Sequence, residues 1–263
     1  MTKKSKYIYD EKKATRAVKF IETFVTFTKG DYAGKPFILE KWQKEKIIKP
    51  LFGWVDKNGL RKYRTAYIEI PRKNGKSNLS AAIALYMLFA DGEKGAEVIS
   101  AAADRNQANI VFSIAKQMVL NNKELSSRAR VYRNAISLED KGSYYKSISS
   151  ESSTAHGMNL SCAIFDEIHA QRDRELWDVV NTSTAARSQP LVIGITTAGF
   201  DKQSICYELN QYALKVRDGI IDDPTFLPVI HFCCSILVIN KYTPVSYTHL
   251  RAHETSLHLV CRL

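Results

Sequence analysis

Pro71-Arg-Lys-Asn-Gly75-Lys76-Ser77 is the stretch that decides how this chain of 263 residues folds. Apolar Tyr67 to Ile70 leads into it, ending a run from Tyr63 that alternates as a strand does. Ser77 to Phe89 follows, rich in Ala and Leu and strongly helical. Strand, glycine-bearing turn and helix in that order gather successive backbone N–H groups and a helix N-terminus around one small volume, which suits a bound phosphate. The first glycine of the G-x-x-x-x-G-K-[ST] pattern is replaced by Ile70, and in exchange Arg72 and Lys73 add two cations inside the loop.

Two later segments fit this loop. Ile164-Phe-Asp166-Glu167 ends an apolar run with adjacent carboxylates, and Ile195-Thr196-Thr197-Ala198-Gly199 ends another with two hydroxyls and a glycine. The three together predict an α/β fold of the P-loop NTPase type (additional-strand, RecA-like), with a mostly parallel sheet flanked by helices and ligands beyond the strand C-termini. ATP and Mg²⁺ are the expected cofactors. Arg72, Lys73, Asn74, Gly75, Lys76 and Ser77 would hold the triphosphate, with Lys76 on the β/γ-phosphates. Ser77 and Asp166 would hold Mg²⁺, and Glu167 would orient or deprotonate the attacking water. Thr196, Thr197, Ala198 and Gly199 would sense the γ-phosphate and move. His169 is expected to be structural or a relay rather than a metal ligand.

Outward from these motifs, helices are predicted over 17–27, 37–48, 105–120, 173–185 and 203–217, and strands over 97–101, 163–165 and 191–196. Segments 131–138 and 144–148 read as a β pair around Asp140-Lys-Gly142. Strands alternating with helices are what a parallel sheet requires.

The balance of 38 Lys and Arg against 27 Asp and Glu, a formal charge of +11, favours a polyanionic partner, nucleic acid first. The basic start, Lys3 to Lys19, serves equally as a solvated charge run or a DNA-contacting arm. Five irregularly spaced cysteines form no metal or disulfide framework, which points to a reducing compartment. No apolar run approaches membrane-spanning length, so no membrane partner is expected.

Several motifs together resemble the ATPase domain of the large terminase subunit of tailed bacteriophages, the motor that pumps DNA into the procapsid. They are Phe37-Ile-Leu-Glu-Lys-Trp42-Gln43, Pro71 to Ser77, Ala101-Ala-Ala-Asp104-Arg105-Asn-Gln107-Ala108, Ala155-His156-Gly157-Met-Asn159, Asp166-Glu-Ile-His169-Ala170, Ala186-Arg187-Ser-Gln-Pro190 and Thr196 to Gly199. The resemblance covers roughly residues 7–230. It implies ATP-driven translocation of double-stranded DNA, adenine recognition by Gln43 and a γ-phosphate contact from Arg72 as a catalytic residue beside Lys76 and Glu167. Arg187 is either a finger acting on a neighbouring subunit or a surface cation. The family resemblance also implies a homo-oligomeric ring, a portal protein and a small terminase subunit as partners, and the host bacterial cytoplasm as location. Rival readings are a DEAH-like helicase fragment, since Asp166 to His169 resembles a helicase box, and a non-catalytic DNA-binding scaffold.

The expected organisation is a helical lead-in with the adenine-binding segment over 1–60, the ATPase core over 61–230, and an off-pattern tail over 231–263. The family's nuclease domain is expected to be absent. Val245-Ser-Tyr-Thr-His-Leu-Arg-Ala-His-Glu-Thr255 and Leu259-Val-Cys-Arg-Leu263 resemble translated sequencing adapter. His249, His253 and His258 are therefore not read as ligands.

Overall fold

A computed structural model describes residues 6–149, 157–171, 174–199 and 201–231, so the adapter-like tail lies outside the described residues. In chain order the elements are β1 (Tyr7–Tyr9), α1 (Glu11–Phe24), α2 (Lys41–Gln43), α3 (Lys49–Gly53), β2 (Trp54–Asp56), β3 (Thr65–Glu69), α4 (Lys76–Phe89), β4 (Glu97–Ala102) and α5 (Arg105–Asn121). Then come α6 (Lys123–Arg128), β5 (Arg130–Val131), β6 (Ala135–Leu138), β7 (Ser143–Ser149), β8 (Cys162–Asp166), α7 (Glu175–Ser183), β9 (Leu191–Thr196), α8 (Ile205–Arg217) and β10 (Phe226–Ile230).

Eight strands form one sheet in the order β10-β3-β9-β8-β4-β7-β6-β5. Every pairing from β10 through β7 is parallel, while the β6–β7 and β5–β6 pairings are antiparallel. β9 stands between β3, which carries the phosphate loop, and β8, which carries the carboxylates. That is the additional strand the sequence implies. A small antiparallel pair, β1 with β2, lies apart from the main sheet.

Side chains alternate across a strand, and the apolar residues divide accordingly. Ala66, Ile68 and Ile70 join one core with Ile193, Ile195, Ile164 and Val98, covered by α1, α3, α4 and α5. Tyr67, Ala163, Phe165 and Val192 face the other core, covered by α7 and α8 through Trp177, Val180, Ile205 and Ala213. Helix α4 is buried nearly all round, and Ala81, Ala82 and Ala84 let it lie close to the sheet. Outside it, the Tyr86 ring meets those of Phe20 and Phe52 at 5.6 and 4.5 Å between centroids.

The predicted core elements are present with bounds shifted by a few residues, but the segment expected to be one strand over 131–138 is two, β5 and β6, paired antiparallel with each other. Helix α1 starts at Glu11, six residues earlier than expected, because the Asp10 side chain accepts from the backbone N–H groups of Lys12 and Lys13. Asp104 accepts from the Gln107 N–H at 3.0 Å and so starts α5 as expected. The segment expected to be one helix over 37–48 is instead α2, a π turn over Lys44–Ile48, and α3. Strand β10 went unread in the sequence.

Candidate nucleotide site

The phosphate loop leaves β3 at the C-terminal edge of the sheet. Gly75 has φ +72° and caps α4, a backbone conformation that side chains other than glycine resist. Lys73 has φ +65° as well, so the loop holds a non-glycine residue in the left-handed region, where such residues gather at functional sites. The Asn74 side chain donates to the carbonyls of Pro71 and Arg72 at 3.2 and 3.1 Å, which fixes the bend. Lys76 is buried, while Arg72 and Lys73 are exposed at the loop surface.

Two contacts join this loop to the end of β8. The Ser77 hydroxyl donates to Asp166 Oδ2 at 3.3 Å, and Lys76 Nζ lies 3.7 Å from Glu167 Oε1. The second is an electrostatic pairing, longer than a hydrogen bond. Glu167 has φ +51°, so the chain turns sharply as it leaves β8, and the adjacent carboxylates meet different partners, Asp166 the Ser77 hydroxyl and Glu167 the Lys76 ammonium. Asp166 Oδ1 is buried and accepts no hydrogen bond among the described residues. A buried carboxylate with one oxygen on a serine hydroxyl and the other unsatisfied fits a hydrated divalent cation shared by Ser77 and Asp166.

The carboxylates are tuned apart. Burial, and then the Glu167 charge, push the Asp166 carboxyl up to about 6, against smaller opposing effects of Ser77 and Lys76. Burial also works to raise Glu167, but nearby His169 and the Lys76 charge outweigh it and hold this carboxyl below its ordinary value. Glu167 therefore stays ionised at neutral pH, as an acceptor for a water proton must.

His169 has a larger place in the site than the sequence suggested. Its Nδ1 lies 2.9 Å from Thr196 Oγ1 and 3.2 Å from Glu167 Oε2. Only the threonine contact is aligned as a hydrogen bond, since Glu167 Oε2 has no such partner among the described residues. The Thr196 hydroxyl donates to the Thr197 carbonyl at 2.8 Å, so its oxygen is left to accept from an Nδ1–H. Thr196 is fully buried and Thr197 nearly so. Gly199 is wedged rather than loose: a Cβ there would meet Cys206 Sγ at 3.2 Å and His169 Cβ at 3.3 Å.

Gln43 sits beside the loop. Its Oε1 accepts from the Glu40 N–H at 2.9 Å, and its Nε2 lies 3.5 Å from the Asn74 carbonyl, a long contact. Next to it, Trp42 and His231 stack with centroids 4.3 Å apart and planes 6° from parallel, a feature the sequence reading missed. The Trp42-Gln43 pair was visible in the sequence, but nothing there paired it with a residue so far along the chain. Burial, and then the Lys46 charge, lower the His231 pKa and favour its neutral ring.

Arg187 is not brought to this edge. Its Nε donates to Asn159 O at 2.9 Å, its Nη1 reaches Glu93 Oε1 at 3.2 Å and Lys94 O at 3.0 Å, and its Nη2 donates to Gly95 O at 2.6 Å. These partners precede β4 and β8, at the opposite edge of the sheet. With 12% of its side chain exposed, Arg187 has the form of a clasp, which corrects both the surface cation and the projecting finger expected from sequence. All three guanidinium nitrogens are engaged. His156, in another of the sequence motifs, lies outside the described residues.

A phosphate loop, adjacent carboxylates and an interposed strand define a nucleoside-triphosphatase core of the additional-strand class. Residues 41–215 match the family of the terminase large subunit, ATPase domain, and the chain belongs to that family. It is 30% identical over 208 residues to the terminase large subunit of Enterobacteria phage HK97, covering 77% of this chain and 40% of that protein. With the terminase large subunit of Lactococcus phage p2 it shares 24% identity over 234 residues, covering 84% of this chain and 42% of the relative. The crystal structure of the HK97 bacteriophage large terminase superposes with a TM-score of 0.71 at 25% identity, over 90% of this chain and 46% of that one. The chain thus spans less than half the length of these relatives. Membership sets the helicase and scaffold readings aside. Among the described residues no helix is long and apolar enough to cross a membrane.

Proposed function

We propose that this chain binds ATP with Mg²⁺ and hydrolyses it to drive double-stranded DNA into a procapsid. The observation that carries this reading is the double meeting of the phosphate loop with the end of β8: Ser77 with Asp166 at 3.3 Å and Lys76 with Glu167 at 3.7 Å. Membership in a terminase ATPase-domain family supports the DNA-packaging role, and the charge of +11 suits a polyanionic track.

In this reading the loop N–H groups from Arg72 to Ser77 surround the phosphates, and Lys76 leaves Glu167 to donate to the β/γ oxygens. Ser77 and Asp166 would hold Mg²⁺, which would supply positive charge to offset that of the phosphates. Glu167, released from Lys76, accepts a proton from the water that attacks the γ-phosphorus as the bond to the β-bridging oxygen breaks. Arg72, which is exposed, folds onto the γ-phosphate in this reading. His169 carries the change at Glu167 to Thr196, and so to the segment ending at Gly199. Gln43 reads the adenine. Ring assembly, a portal protein, a small terminase subunit and the host bacterial cytoplasm belong to the same proposal.

Nucleotide binding and turnover measured on two variants test the assignment. Lys76→Ala should lose both. Glu167→Gln should bind ATP near the wild-type level while hydrolysis falls by orders of magnitude, because the base is lost with little ground-state contact. Equal loss of binding in both variants would sink these roles.

A further inference from the structure

A buried carboxyl ties the root of the phosphate loop to α8. Glu69 is the last residue of β3, two positions before Pro71, and pairs in register with Thr196 at the start of the coupling segment. Its Oε2 accepts from the Tyr67 hydroxyl at 2.7 Å and from Asn210 Nδ2 on α8 at 2.8 Å. The Tyr67 oxygen, its proton spent on Glu69, is left to accept from the Cys206 thiol at 3.7 Å. Burial, and then the Glu69 charge, raise the Tyr67 pKa, so this hydroxyl remains a donor. Cys206 lies one helical turn before Asn210 on the same face of α8, and Gly199 is wedged against it. Tyr67, Glu69, Cys206 and Asn210 are all buried. Together they join the loop, the end of the coupling segment and the helix that follows it.

An apolar pair of matching shape would cost the fold little, so stability alone does not account for a carboxyl and an amide facing each other in this core. Resting on the ATPase reading above, we propose that Asn210 is a positioning residue for hydrolysis, which through Glu69 fixes the root of the phosphate loop against α8. It acts through Glu69 and offers no group to the phosphates. Lys76 and Ser77 ride on the loop, whereas Asp166 and Glu167 end β8, so reaction requires the two strand ends to keep one separation. Strand β9 spaces them through backbone bonds, among them the Ile70 N–H to the Thr196 carbonyl at 3.0 Å. The Asn210–Glu69 bond adds a side-chain brace from the helix into which the coupling segment leads. Phosphate contacts made by the loop need no such brace, so it should bear on turnover rather than on affinity.

Steady-state ATP hydrolysis with Mg²⁺, alongside urea unfolding, tests this in the full chain. Asn210→Leu keeps the size and removes the donor. Its kcat should fall about tenfold with KM within about twofold, the loss of one hydrogen bond expressed in the reacting state. Asn210→Asp sets a second carboxyl against Glu69 and should lose at least as much. Glu69→Gln combined with Asn210→Asp reverses the bond: the glutamine amide donates to the new carboxylate while its oxygen still accepts from Tyr67. That pair should regain most of the wild-type kcat. An Asn210→Leu variant that unfolds at lower urea yet turns over at the wild-type kcat when folded overturns the positioning role and makes the bond structural. A reversed pair no faster than Asn210→Asp alone also overturns it. Both outcomes leave the ATPase reading standing, whereas a wild type without ATP turnover overturns both proposals.

Discussion

His169 and Thr196 share a hydrogen bond of 2.9 Å that ties the turn after β8 to the end of β9, while the same imidazole nitrogen stands 3.2 Å from Glu167. One ring therefore touches the carboxylate assigned to water activation and the threonine that begins the segment assigned to coupling. Thr196→Val keeps the shape and removes the acceptor, leaving the Nδ1–H to Glu167 alone. Turnover should fall by about tenfold while the ATP dissociation constant stays within about twofold, the pattern of an interaction expressed mainly in the reacting state. A matching loss of affinity would mean that Thr196 shapes the phosphate loop instead.

Asp166 favours its proton when folded. Its contribution to stability is present below the ordinary aspartate range near 3.8 and is lost as pH rises through about 6. Asp166→Asn cannot ionise and escapes that loss. Without nucleotide or metal, the variant should melt above the wild type at pH 8, with the gap closing below pH ~4; a shift of this size corresponds to at most about 3 kcal/mol. Mg²⁺ with ATP should then stabilise the wild type and not the variant. Melting curves that run parallel across this range would contradict the buried charge.

Arg187→Ala should be a stability variant. It removes four hydrogen bonds and strands the largely buried Glu93 carboxylate, for a cost of about 2–4 kcal/mol in urea denaturation. Loss of hydrolysis at unchanged stability would restore the finger.

Gly199→Ala places a methyl 3.2 Å from Cys206 Sγ and 3.3 Å from His169 Cβ. Neither neighbour is the far end of a long flexible side chain, so His169 should be displaced. Hydrolysis should drop with a stability loss of about 1 kcal/mol, and Cys206→Ala in the same chain should recover part of both. Full activity in the single variant would show that the segment has slack.

DNA binding by the core should be weak, indifferent to sequence and steeply reduced by salt, because cations that neutralise phosphates release counterions. Filter binding across a salt series checks this. A salt-independent, sequence-selective interaction would contradict the backbone-tracking mode.

The parts legible in the sequence are those in which local pattern and global role coincide. The apolar run before Pro71, the Ala-rich helix after it and the carboxylates ending at Glu167 each announce a strand end or a helix start without reference to distant residues. Their shared edge followed from the alternation of strands and helices. What stayed hidden depends on pairings between remote segments. Phe226 to Ile230 is too short to stand out, and becomes a strand by lying against Thr65–Glu69. The same holds for Tyr7–Tyr9, which pairs with Trp54–Asp56. Arg187 looked like a free cation because its partners are mostly backbone carbonyls about 28 and 92 residues away, and carbonyls leave no trace in side-chain chemistry. The Asp10 cap, by contrast, was open to reading: an aspartate before Glu11 and an amphipathic run is a helix start.

The pairing of β3 has a consequence for how the protein is made. Both partners of this strand lie far downstream, with Thr65 opposite Val192 on one side and Phe226 on the other. On a ribosome, the segment carrying the phosphate loop emerges early and waits, its hydrogen-bonding edges open, through the synthesis of well over a hundred residues. Contacts of such separation form slowly, and exposed edges recruit wrong partners meanwhile. Any message broken before the codons for Leu191–Thr196 would yield a chain that bears the nucleotide motif intact yet has neither neighbour to hold it in shape.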